Sequence, residues 1–203
     1  MREKPPPHLR WFLGINTFGG HPMKALVVYE SVFGNTRSVA EAITEGLMGD
    51  MEVILSEVGA VKAADLDSVD LLIAGGPTHA FGMSRESSRK NSVMARDGKP
   101  ARVAVSQGTG LREWLESLHQ VTKGARAAAF DTRVARPWFL PTVGSAAKDI
   151  AAELRRRGYR VVADGRGFVV TGTEGPLAEG ELDRARAYGK EMAGLVAAAV
   201  AIS

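Results

Sequence analysis

Three short apolar runs, Lys24–Tyr29, residues 69–74 and residues 125–130, constrain the fold of this 203-residue chain more than any other feature. A strand that is apolar on both faces must be covered on both, as in a parallel sheet flanked by helices. The segments between these runs carry helical periods. Val39, Ile43 and Leu47 recur every four residues, with Asn35 or Thr36 placed to cap that helix and Gly49 to end it. Residues 84–95 read as a polar helical segment, and Leu111, Leu115 and Leu118 share a helical face. Ala147, Ile150, Ala151 and Leu154 mark another helix between Ser145 and Gly158, and Leu182, Ala185, Gly189, Met192 and Val196 mark the last. Residues 52–58 alternate like a strand near an edge, and residues 159–163 and 167–170 supply a further strand in two pieces. The alternation predicts an α/β class with a doubly wound parallel sheet.

Composition removes several kinds of chemistry. There is no cysteine, which excludes disulfides, thiolate metal sites and a cysteine nucleophile, and fits a cytoplasmic protein. His8, His21, His79 and His119 are scattered without ligand spacing, so no metal site is expected. The formal charge is +3, and Arg2, Lys4 and Arg10 against Glu3 concentrate much of that excess before Met23, leaving no stripe for nucleic acid. Residues 195–202 are too few to span a bilayer, so no membrane insertion is expected. Residues 1–22 show neither period and read as a flexible tail, with residues 23–203 as the domain; one alternative is a start at Met23. No nucleophile elbow or paired-carboxylate pattern points to a hydrolase.

Ligands on doubly wound sheets bind beyond the carboxyl ends of the strands, so the loops after the first, third and fourth runs are the informative ones. After the first come Ser31, Val32, Phe33, Gly34, Asn35 and Thr36. Small and hydroxyl residues between a strand and a helix N-terminus aim N–H and O–H donors at an anion, and a phosphate fits. The glycine patterns of dinucleotide folds and of P-loop enzymes are absent there. Residues 75–82 hold three glycines and Pro77, and are expected to leave the strand as a loop. Residues 131–142 form the third loop. Trp114 lies at helical spacing with Leu111 and Leu118 and reads as core, while Arg85 and Arg89 read as a solvated helix face.

The first loop resembles that of the flavodoxins and flavodoxin-like proteins, of the form Ser/Thr-x-Thr/Phe-Gly-Asn-Thr. The resemblance runs over residues 23–203 and includes Gly76, Pro77 and Thr78 and the Gly-Phe-Val-Val of residues 167–170. The stretch from Glu174 to Ala185 is similar to a bacterial single-domain subgroup. The resemblance implies a five-stranded sheet in the order 2-1-3-4-5 and one non-covalent FMN. Phe33 matches the loop pattern and is counted with the cofactor site. The resemblance assigns the phosphate to Ser31, Gly34, Asn35 and Thr36, one side of the ring to Pro77, Thr78, Phe81 and Gly82, and the other to Asp131, Thr132 and Trp138. His79 is placed to donate to a flavin oxygen or to a quinone, or is a loop histidine with no role. The third loop departs from the family's usual Asp and Tyr pattern.

Two functions compete at this point: a carrier that passes electrons between redox partner proteins, and an FMN-dependent oxidoreductase that takes hydride from NAD(P)H and reduces a quinone. A cofactor-free binding module on the same fold is a third. Typical flavodoxins are acidic. Here Arg85, Arg89, Lys90 and Arg96 follow the second loop and Arg133 and Arg136 lie in the third, which predicts a flavin that is less strongly reducing.

Overall fold

The computed structural model describes residues 10–12, 17–18, 21–79, 82–94, 105–106, 108–121, 125–135 and 144–201. The first half runs β1 (Arg10–Phe12), β2 (Thr17–Phe18), β3 (His21–Pro22), β4 (Lys24–Tyr29), α1 (Asn35–Leu47), β5 (Glu52–Glu57), β6 (Leu71–His79), β7 (Gly82–Met83) and α2 (Glu86–Val93). The second half runs α3 (Leu111–Ser117), β8 (Arg126–Val134), α4 (Ala146–Arg156), β9 (Arg160–Val161), β10 (Arg166–Val170) and α5 (Glu181–Ala201).

The parallel strands stand in the order β5-β4-β6-β8-β10, which is 2-1-3-4-5 counted along the chain, as expected. The fifth strand comes in two pieces, β9 and β10, both paired with β8. At the other edge β1 adds antiparallel to β5, with Trp11 opposite Ile54. Backbone pairing of this kind needs no hydrophobic period, so residues 10–12 gave no signal of it.

The apolar runs divide by the period-two alternation of a strand. Ala25, Val27 and Tyr29 of β4 face α1 and α5, whereas Leu26 and Val28 face α3 and α4. Ile73 and Phe130 join the first side, Leu72 and Ala129 the second. Trp114 packs into the second core with Leu111 and Leu118, as its spacing predicts. Each large buried side chain contributes on the order of 2 kcal/mol, which makes the two cores the source of rigidity for the loops above them.

Two strands run further than expected. β6 continues through Gly75, Gly76, Pro77, Thr78 and His79, because β8 pairs with it as far as Pro77 opposite Thr132 and β7 pairs antiparallel with Thr78 and His79. β4 leaves β6 at Gly75, and a proline is tolerated beyond that point, where one side of the strand is free. Gly75 itself is required by its neighbour: a Cβ there would lie 2.2 Å from the Phe130 ring. Residues 75–79 and 131–132 are therefore strand ends rather than loops, held by the sheet.

Candidate functional site

The first loop turns at Gly34, whose φ of 94° lies in the left-handed region open to glycine. Gly34 is also the N-cap of α1, with no side chain capping the helix, so the expected cap from Asn35 or Thr36 is absent. The first-turn N–H groups therefore lack intrahelical acceptors and, among the described residues, a side-chain cap, and the helix dipole adds positive potential to them. Ser31 Oγ accepts the Gly34 N–H at 3.1 Å, which leaves its hydroxyl proton free to donate. Ser106 braces the loop from behind. Its Oγ accepts the Ser31 N–H at 2.9 Å and its N–H donates to the Ser31 carbonyl at 2.8 Å.

Side chains of this loop reach two other segments. Asn35 Nδ2 donates to the Glu174 carbonyl at 2.9 Å, and Thr36 Oγ1 lies 2.8 Å from Thr132 Oγ1. The second segment is tied to the third in a similar way, since Thr78 Oγ1 accepts the Ala146 N–H at the start of α4, at 3.0 Å.

These contacts close one cavity of about 300 Å³. Ser31, Phe33, Asn35, Thr36, Pro77, Thr78, His79 and Thr132 all line it, so most of the residues singled out in the sequence share one space. Gly34 shapes the end of the cavity nearest α1 through the turn. Gly82 instead lines a second cavity, which shares His79 with the first. Phe81 and Trp138 lie outside the described residues.

Asp131 has a different position from the one expected beside a flavin ring. It is fully buried and does not line the cavity. Its carboxylate accepts from Arg133 Nε at 2.7 Å and Nη2 at 2.9 Å, from Ser145 Oγ at 2.8 Å and from the Ala147 N–H at 2.9 Å. Asp131 is thus a positioning residue that fixes Arg133, and Arg133 does line the cavity. Ser92, Gly144 and Thr173 line it without a sequence signal, and Arg133 and Val170, noted in the sequence for charge and for the last-strand match, were not expected as cavity residues.

Beneath the second segment lies a buried polar cluster. Glu30 is 1% exposed; it bonds Ser84 through one oxygen and accepts the Leu111 N–H at 2.7 Å through the other. Arg89, read from the sequence as solvated, is buried here, donating to Ser84 Oγ at 3.1 Å and pairing with Glu113 at 3.2 Å. Burial of His79 depresses its imidazole below the ordinary value; Glu30 opposes that depression and Arg89 adds to it. A neutral His79 ring therefore faces the cavity at pH 7.

Neither a protein-family model nor a curated protein sequence matches the chain. Solved structures do. A flavodoxin from the domain Archaea superposes with a TM-score of 0.57 at 24% identity, over 86% of this chain and 99% of that one. Flavodoxin 2 from Bacillus cereus gives 0.56 at 21% identity, over 86% and 97%. This chain has the flavodoxin fold. The flavodiiron core of Flv1 from Synechocystis matches as well, at 0.56 and 16% identity, with 88% of this chain covering 37% of that longer one.

On the flavodoxin fold the cavity sits at the carboxyl ends of β4, β6 and β8, where the connection switches from one side of β4 to the other. Of the six basic residues expected around it, Arg133 pairs with Asp131, Arg89 with Glu113 and Lys90 with Glu86; Arg85 is exposed and has no carboxylate partner among the described residues, and Arg96 and Arg136 lie outside them. The positive charge expected to make a flavin less reducing is thus cancelled at three of the six positions.

Proposed function

We propose that the chain binds one FMN non-covalently in this cavity and transfers electrons through it. The observation that carries the reading is the uncapped N-terminus of α1 at the end of a cavity walled by three strand ends. The residues fit the group. The first-turn N–H groups of α1 and the free Ser31 proton suit a phosphate, and Pro77, Thr78, His79 and Thr132 offer the mixed apolar and polar wall that a planar ring needs. FMN, when bound, supplies one- and two-electron transfer; the protein supplies orientation and electrostatics.

The chain's own groups do the rest. Ser106 and Ser31 hold the loop at a fixed width. The Thr36 and Thr132 hydroxyls keep the phosphate end and the ring end at a constant separation. Thr78 accepts from Ala146, so its proton is free to donate into the cavity. The reading places the chain in the cytoplasm, as a carrier between redox partner proteins; among the described residues no helix is long and apolar enough to cross a membrane. A second reading, an NAD(P)H-dependent quinone-type reductase, draws on the second cavity beside His79.

Visible spectra of the purified chain before and after FMN addition, then after NADPH without oxygen, separate these readings. Bound flavin that NADPH leaves oxidised supports the carrier, and direct bleaching supports the reductase. A chain with no FMN affinity would overturn both and leave the cofactor-free module.

A further inference from the structure

A second cavity, of about 370 Å³, shares His79 with the first. Its wall includes His79, Gly82, Met83, Arg85, Ser88 and Arg112. We infer that it is a binding site for the anionic group, phosphate or polycarboxylate, of a small redox co-substrate. The anion site stands on its own residues; its role as a co-substrate site rests on the second, reductase reading above rather than on the carrier.

The two arginines carry the inference. Among the described residues neither has a carboxylate partner, in contrast to Arg89, Arg133 and Arg157. Among the described residues Arg112 is held by backbone oxygens: Nη2 donates to the Met83 carbonyl at 3.1 Å and Nε to the Ser84 carbonyl at 3.4 Å. That arrangement orients the guanidinium and, among the described residues, leaves its other N–H donors and its charge available. Arg85 is exposed and stands at the N-cap of α2, so the positive end of that helix adds to its charge. Ser88 Oγ accepts the Arg85 N–H at 2.9 Å and keeps this turn in register with the cavity.

One acid faces the same space. Asp149 accepts the Met83 N–H at 3.3 Å and so fixes β7 against α4. Two guanidinium groups against one carboxylate leave a net positive cavity, suited to a multiply charged anion more than to a single carboxylate. The position of His79 gives the site a purpose. The same side chain lines both cavities, so an anion anchored at Arg85 and Arg112 places the remainder of its molecule one side chain away from the flavin cavity.

The test is a titration of the full-length, isotopically labelled chain with inorganic pyrophosphate, and separately with citrate, with and without FMN present. The expected result is a saturable shift of the Gly82, Met83 and Ser88 amides that persists with FMN present, and that weakens about tenfold or more in Arg85→Gln. Arg112→Gln gives the same loss and serves as the second variant. Pyrophosphate acting alone assigns a phosphorylated co-substrate and citrate acting equally assigns a polycarboxylate; both uphold the site. Shifts confined to Asn35 and Thr36 and abolished by FMN, or shifts at residues 82–88 unaffected by Arg85→Gln, would overturn it. FMN failing to bind while the Gly82 and Met83 shifts survive would remove the flavin reading and leave the anion site intact.

Discussion

Thr36 and Thr132 lie 96 positions apart, yet their hydroxyl oxygens are 2.8 Å from each other and both side chains are buried. The bond joins the start of α1 to the end of β8, and so sets the width of the cavity between the first and third segments. Changing either threonine to valine removes one hydroxyl and leaves the other without its partner. Each single variant is expected to lose about 1–2 kcal/mol of unfolding free energy, and the double variant less than the sum. A double-mutant cycle by urea denaturation reads the coupling.

Gly34→Ala isolates backbone strain from steric clash. No atom lies within 4 Å of the Cβ that it would add, so the cost comes from φ alone. The expected loss is about 1–2 kcal/mol, with part recovered by Gly34→Asn, since asparagine tolerates the left-handed region. FMN affinity should fall in parallel with stability, because the same turn presents the helix N-terminus.

Much of this architecture was legible in the sequence, and for identifiable reasons. The runs at Lys24–Tyr29 and residues 125–130 are apolar on both faces, and only a covered strand satisfies them. The loop from Ser31 to Thr36 has a composition that only a turn into a helix explains. What escaped was long-range. Ser106 acts on Ser31 from 75 positions away, with nothing local to mark it. Gly75 to His79 looked like a loop by composition because pairing with β8 as far as Pro77 and with β7 at Thr78 and His79, which overrides glycine and proline there, is a tertiary effect. Arg89 reads as a surface residue until Glu30 and Ser84 are brought beneath it by the fold.

The Asp131 and Arg133 pair links stability to redox poise. Asp131→Asn leaves Arg133 without its carboxylate, and a loss of about 3 kcal/mol is expected. In the same variant the guanidinium charge at the cavity wall is no longer cancelled. That is on the order of 1 kcal/mol of extra stabilisation for a reduced, anionic flavin, or about 40 mV toward positive potential. Potentiometric titration of the FMN-loaded variant checks the sign.

His79 predicts a pH dependence. Its pKa in the folded chain is depressed, so below the ordinary histidine value of about 6.5 the unfolded chain binds the proton first. Stability is therefore expected to fall as pH drops through that range, and His79→Asn should remove this part of the slope. Chemical denaturation of both proteins between pH 5 and 8 reads the difference.

The central claim is that the first loop holds a phosphate, and the most direct measurement compares FMN with riboflavin, which lacks it. Fluorescence titration of the full chain should give one FMN per chain with a Kd of about 1 µM or tighter and riboflavin at least about 100-fold weaker. Equal affinity for the two, or no saturable binding of either, would contradict the account.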